Sequence, residues 1–141
     1  MTLRLSENLL AQIHAHGEQA YPEEGAGFLL GADAKERIVH AISRLSNARE
    51  ETARHNRFLI KPEDYLKAEL EAERLGLSLI GVFHSHPDHP NIPSEFDREW
   101  AQPFFSYVIT SVTSGKAVES RSWRLVEDRS KFVEEEIQNT L

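Results

Sequence analysis

Apolar and polar positions alternate with two different periods along this chain, and each change of period marks an element. Leu3 to Leu5 reads as a short strand. Ser6 then suits an N-cap, and Leu9, Leu10 and Ile13 share one face of a helix that the pattern ends at Gly17. Gly27 to Leu30 and Arg37 to Arg44 read as paired strands across the turn-prone Gly31-Ala32-Asp33-Ala34-Lys35. Polar residues from Ser46 to Asn56 predict a loop, followed by a short strand from Arg57 to Ile60. Lys61-Pro62-Glu63-Asp64 opens a second helix, with proline in its first turn and acids where the helix dipole favours them. Tyr65, Ala68, Leu70, Ala72 and Leu75 pattern it, and Gly76 stops it. The run Leu77 to Phe83 is apolar and β-prone. A helix from Ser94 to Gln102 follows, then strands at Ser106 to Thr113 and Glu119 to Val126 joined by Ser114-Gly115-Lys116. Lys131 to Leu141 fits either strand or helix.

The mixture of strands and helices predicts an α/β fold in one domain, residues 1–141. With 141 residues and 40% hydrophobic content, the chain can bury a core without disulfides or a structural metal. It contains no cysteine, which excludes disulfide scaffolds and every Cys-based zinc or nucleophile scheme. A formal charge of −7 argues against nucleic acid as a partner, since that binding needs a basic surface. No segment approaches the ~18 apolar residues of a membrane span, and the first residues lack a signal-like apolar core. A cytoplasmic protein without membrane contact is therefore expected.

The informative chemistry lies at His84-Ser85-His86-Pro87, just after the apolar run. Residues two apart on a strand face the same side, so the two imidazoles converge. Ser94-Glu95-Phe96-Asp97 has the form of a capping box, and Ser94 and Asp97 share a face of the first helical turn. His84, His86 and Asp97 thus read as a zinc site with one position left open, the arrangement of catalytic rather than structural zinc. Hydrolysis at such a site needs a base and a donor to the developing oxyanion. Glu24, held immediately before the apolar stretch Gly25 to Gly31, is the base candidate. Ser94 is the oxyanion candidate, and its hydroxyl could instead cap its own helix.

The remaining polar residues read more plainly. His14 and His16 lie about 200° apart around a helix and cannot share a metal. His40 and His55 have no partner pattern, and His89 reads as a loop histidine facing solvent or lining a substrate groove. Glu23 adjoins Glu24 and competes for its role, and Glu134-Glu135-Glu136 reads as a solvated face.

Together these residues resemble the JAMM family, or MPN+ zinc metalloproteases, whose signature is an early glutamate followed by His-x-His-Pro-x6-Ser-x-x-Asp. Every position of that signature is filled here. Tyr21-Pro22-Glu23-Glu24, Arg57-Phe58, Ser106-Tyr107-Val108-Ile109 and Ser122-Trp123-Arg124-Leu125 are similar to the short bacterial members. The resemblance implies a single-domain MPN fold similar to cytidine deaminases, with a mixed, curved sheet flanked by helices. It implies one Zn2+ per chain on His84, His86 and Asp97, Glu24 as general acid/base holding the catalytic water, and Ser94 as stabiliser of the tetrahedral intermediate. It further implies cleavage of the amide bond after the C-terminal Gly-Gly of a ubiquitin-like or sulfur-carrier protein. Two other classes stay in view. One is a metal-bearing module that binds a ubiquitin-like protein without cutting it, against which the intact Glu24 argues. The other is a nucleobase deaminase, which wants a Pro-Cys-x-x-Cys half-site absent here.

Overall fold

The computed structural model describes residues 1–45 and 60–140. The expected loop from Ser46 to Asn56 and most of the strand expected at Arg57 to Ile60 lie outside the described residues. Among the described residues, seven strands and three helices follow in the order β1 (Thr2–Arg4), α1 (Glu7–Ala20), β2 (Ala26–Asp33), β3 (Arg37–Leu45), α2 (Pro62–Arg74), β4 (Ser78–Pro87), α3 (Glu95–Trp100), β5 (Ser106–Thr113), β6 (Lys116–Leu125) and β7 (Phe132–Gln138).

The strands form one mixed sheet in the order β1-β3-β2-β4-β5-β6-β7, and it closes on itself through β1 and β7. β4 lies between antiparallel β2 and parallel β5. A parallel neighbour cannot be reached through a tight turn, so β4 and β5 are joined by a crossover that carries α3. Its starting point is the end of the histidine-bearing strand. The mixed, curved sheet flanked by helices that the family resemblance implies is thus the architecture found.

Both faces of β2 and β4 are buried, which explains why these strands read as continuous apolar runs rather than alternating ones. Phe28, Leu30, Val82 and Tyr107 pack with Ala68 and Ala72 of α2. Leu29, Ile80, Phe83 and Val108 pack with Ile13, while Leu9 and Leu10 join at the margin. Each fully buried Leu, Ile or Phe in these clusters contributes about 1.5–3 kcal/mol over an exposed one. Alternation along β4 therefore sends Val82 and His84 toward one side, and Phe83 and Ser85 toward α1.

Some element ends differ from the pattern. Ser6 caps α1 by accepting from the Leu9 N–H at 3.2 Å, but the helix runs through Gly17 to Ala20. Gly17 is an interior contact point instead of a stop, since a Cβ there would meet the Ser85 Cβ and Val112 Cγ2 at 3.2 Å. Gly76 does follow α2 as expected, with φ +72, a left-handed conformation that glycine adopts without steric cost. In α2 it is Ala68 and Ala72 that face inward, whereas Leu70 is 57% exposed. α3 is shorter than Ser94 to Gln102, and β6 starts at Lys116 rather than Glu119. The β5–β6 hairpin turns on Ser114 and Gly115, both with positive φ, the geometry that matches strand twist. The ambiguous last segment is strand, and β7 pairs with both β6 and β1.

Candidate metal centre and active site

His84 and His86 occupy the end of β4, where both are buried, and Asp97 reaches them from the first turn of α3. The two Nε2 atoms are 3.2 Å apart. Asp97 Oδ1 lies 3.3 Å from His84 Nε2, and Oδ2 lies 3.3 Å from His86 Nε2. Tetrahedral zinc with bonds of about 2.0–2.1 Å sets its ligand atoms roughly 3.3 Å apart, close to the separation of the two Nε2 atoms, and one ligand atom from each of the three residues lies within 4.8 Å of the others. The polar shell supports this. The Pro90 carbonyl can only accept, so His86 Nδ1 carries a proton and donates it at 2.7 Å, which in the neutral ring leaves the Nε2 lone pair facing the other two donors. Two buried imidazole nitrogens and a carboxylate are the donor set of a divalent transition metal.

The short helix that carries Asp97 is fixed by the capping box legible in its sequence. Ser94 Oγ accepts from the Asp97 N–H at 3.1 Å, and Asp97 Oδ2 accepts from the Ser94 N–H at 2.8 Å. One carboxylate thus both caps the helix and faces the histidines. Burial by itself would raise the Asp97 carboxyl. The adjacent His84 and His86 rings and the hydrogen bond from the Ser94 N–H outweigh it and hold the group far below the usual carboxylate range.

A cavity of about 290 Å³ opens beside the triad, lined by Glu24, His86, His89, Pro90, Ile92 and Ser94. Glu24 is 8% exposed. It stands just before β2, whose Ala26 pairs directly with His84. Ser94 spends one lone pair on the cap, and its hydroxyl proton remains able to donate into the cavity. A second, larger groove of about 450 Å³ meets the triad at His84 and Asp97 and runs between α2 and α3 past Val82, Tyr107, Leu66 and Trp100. Leu66 and Trp100 are more than half exposed along it.

Comparison with known proteins decides the family. A sequence profile described as prokaryotic homologs of the JAB domain matches residues 6–126. The chain belongs to that family. A probable TtuB-protein conjugate cleaving protease of Thermus thermophilus is similar at 34% identity over 109 residues, 77% of this chain and 70% of the relative. A desampylase of Pyrococcus furiosus is 40% identical over 76 residues, 54% of this chain and 50% of the relative. A solution structure of a protein from Desulfitobacterium hafniense matches with a TM-score of 0.83 and 31% identity, covering 99% of this chain and 93% of that one. With these relatives the JAB-family chain is a peptidase or isopeptidase.

Other polar residues of this JAB protein find their places as follows. His14 and His16 stay out of the triad: His14 Nε2 is 2.8 Å from Ser120 Oγ, and His16 Nε2 is 3.1 Å from the Ala26 carbonyl. His40 is exposed, and His55 lies outside the described residues. His89 is exposed, as the solvent-facing reading expects, and it also lines the cavity beside the triad. The solvated-face reading of Glu134-Glu135-Glu136 is corrected at its centre. Strand alternation in β7 turns Glu135 inward, 2% exposed, where Ser106, Ser122 and Arg124 hydrogen-bond to it. Sequence reasoning also passed over the groove residue Tyr107, whose hydroxyl accepts from the Gln102 N–H at 2.6 Å. It missed Asn91 as well, which is 6% exposed, donates to Glu119, and accepts from Trp123 Nε1, pinning the loop that carries Pro90.

Proposed function

We propose that this chain is a zinc-dependent isopeptidase that cleaves the amide bond after the C-terminal Gly-Gly of a ubiquitin-like or sulfur-carrier protein. The observation that carries the reading is the convergence of His84, His86 and Asp97, whose ligand atoms lie within 4.8 Å of one another, with Glu24 and Ser94 on the adjoining cavity. Relatives named for cleaving TtuB-protein conjugates and as desampylases point to the same substrate class.

His84, His86 and Asp97 hold the ion. When bound, zinc supplies a Lewis acid that polarises the scissile carbonyl and acidifies water. Glu24 accepts the proton of the attacking water at its carboxylate and returns it to the leaving amine nitrogen, acting first as base and then as acid. Its burial keeps bulk water from competing for that proton. The Ser94 hydroxyl donates to the carbonyl oxygen as negative charge grows there, while its lone pair keeps the cap on α3. No covalent bond to the enzyme forms.

The groove between α2 and α3 suits the donor's tail. Val82, Ala101 and Tyr107 line it with mostly apolar surface, and it includes His84 and Asp97. Two glycines allow an extended backbone to approach these last two closely, which any side chain would obstruct. The test is a pair of isopeptide conjugates that differ only in the last donor residue, one ending Gly-Gly and the other Gly-Val. Release from the first alone is expected, and equal release from both would refute the tail reading.

A further inference from the structure

We infer that Ser85, the residue between the two histidine ligands, is a positioning residue that sets Glu24 against the metal site. The inference rests on the reading of Glu24 as the base.

Ser85 faces away from the ligands, toward α1, and is 2% exposed. A hydroxyl in so dry a seat needs a partner, and it has one in the backbone: the Gly25 N–H donates to Ser85 Oγ at 2.8 Å. The Ser85 N–H in turn donates to the Gly25 carbonyl at 2.9 Å. The β2–β4 ladder ends at the Ala26–His84 pair. Gly25 and Glu24 therefore lie past the last regular rung, where sheet pairing no longer dictates the backbone. Ser85 grips both polar groups of Gly25, one with its own backbone and one with its side chain. The peptide plane that follows Glu24 is thereby tied to the strand segment that carries His84 and His86.

The other side of Gly25 is closed by α1. A Cβ on Gly25 would stand 3.0 Å from the Ala20 Cβ and 3.2 Å from His16 Cδ2, and His16 Nε2 sits 3.1 Å from the next carbonyl, that of Ala26. Gly17 of the same helix presses on Ser85 itself, with Val112 at its flank. Helix, serine and glycine are thus packed in series, and Glu24 is the side chain at the end of the series. Removing the Ser85 hydroxyl takes away the acceptor of the Gly25 N–H and loosens the peptide that joins Glu24 to Gly25, while the backbone bond from the Ser85 N–H to the Gly25 carbonyl and every metal ligand stay in place.

The experiment compares Ser85→Ala with wild type in the zinc-loaded protein, reading kcat, KM, metal affinity and thermal midpoint. Val39→Ala, a core truncation in β3 remote from the site, serves as a control for lost stability. Assays run well below both midpoints. The expected result for Ser85→Ala is kcat lower by about 10- to 100-fold, the scale of outer-shell substitutions. KM and metal affinity stay within about twofold of wild type, and Val39→Ala keeps its kcat. If Ser85→Ala does not fold, Gly17→Ala disturbs the same seat from the helix side, and the same split is expected. An unchanged kcat, or a loss matched by Val39→Ala or explained by lost metal, overturns the inference. Wild-type protein that cleaves no conjugate would instead overturn the functional reading beneath it.

Discussion

The proposed mechanism gives Ser94 two duties that substitution can separate. Its Oγ accepts from the Asp97 N–H at 3.1 Å, and its proton is left for the cavity shared with Glu24 and His86. Ser94→Ala removes both. Loss of an N-cap costs about 1 kcal/mol. Unfolding entropy near 2.1 cal/mol/K per residue gives a chain of this length roughly 0.3 kcal/mol/K, so the thermal midpoint should fall by about 3 °C. Loss of one oxyanion donor costs about 10²- to 10³-fold in kcat, equivalent to roughly 2.7–4 kcal/mol. The two losses differ in size and in kind. Ser94→Asp separates them, because a carboxylate caps well but cannot donate and repels a forming oxyanion. That variant should recover the midpoint and not the rate. The assay is steady-state cleavage of an isopeptide conjugate alongside differential scanning calorimetry, both with zinc present. Turnover within threefold of wild type in either variant would refute the oxyanion role, and an unchanged midpoint in Ser94→Ala would refute the cap.

Four further outcomes follow from the same geometry. Glu24→Gln should keep metal and substrate binding, measured by titration calorimetry, yet abolish turnover, and loss of metal in that variant would contradict the assignment of Glu24 as base. Zinc at a hundred times its dissociation constant should stabilise the protein by about 2.7 kcal/mol, or roughly 9 °C; His84→Ala should lose that gain together with activity, and an equal gain in the variant would place the metal elsewhere. Glu135→Ala strips the buried acceptor of Ser106, Ser122 and Arg124 and should cost about 3–5 kcal/mol, or roughly 10–17 °C, whereas a shift under 3 °C would restore the solvated-face reading. Burial, countered in part by the Ala26 carbonyl and reinforced by Arg44, holds His16 below its ordinary value of 6.5, so the unfolded chain takes up the proton first. Stability from this group is complete above 6.5 and is lost as pH falls toward the folded-state value; wild type should therefore lose more urea resistance between pH 7 and pH 5 than His16→Gln, and equal losses would contradict this.

The site was legible because its parts are local. His84 and His86 are two apart on a strand, Ser94 and Asp97 three apart on a helix start, and backbone periodicity alone gives each pair its shared face. What the sequence withheld is how α1 meets the site. Gly17 looked like a helix stop, yet it is the bare patch that lets the helix reach Ser85. Spacing rules describe neighbours along one element and are silent on such contacts between elements. Ser85 was in view inside the motif, and the same alternation that paired the histidines turns it to the other face. Glu135 was misread for a related reason, since three consecutive acids look uniform until a strand sends the middle one inward. Only after β7 pairs with β6 does its burial among serines and Arg124 become visible.

The most direct test of the account is intact-mass analysis of a ubiquitin-like protein joined through its C-terminal Gly-Gly to a lysine-bearing partner, after incubation with the zinc-loaded chain. The account predicts two products, the donor ending at its second glycine and the partner with its free amine. It also predicts that neither forms with Glu24→Gln or after metal is removed by a chelator. An unchanged conjugate across several such donors, with zinc confirmed on His84, His86 and Asp97, would contradict it and leave a metal site that binds without cutting.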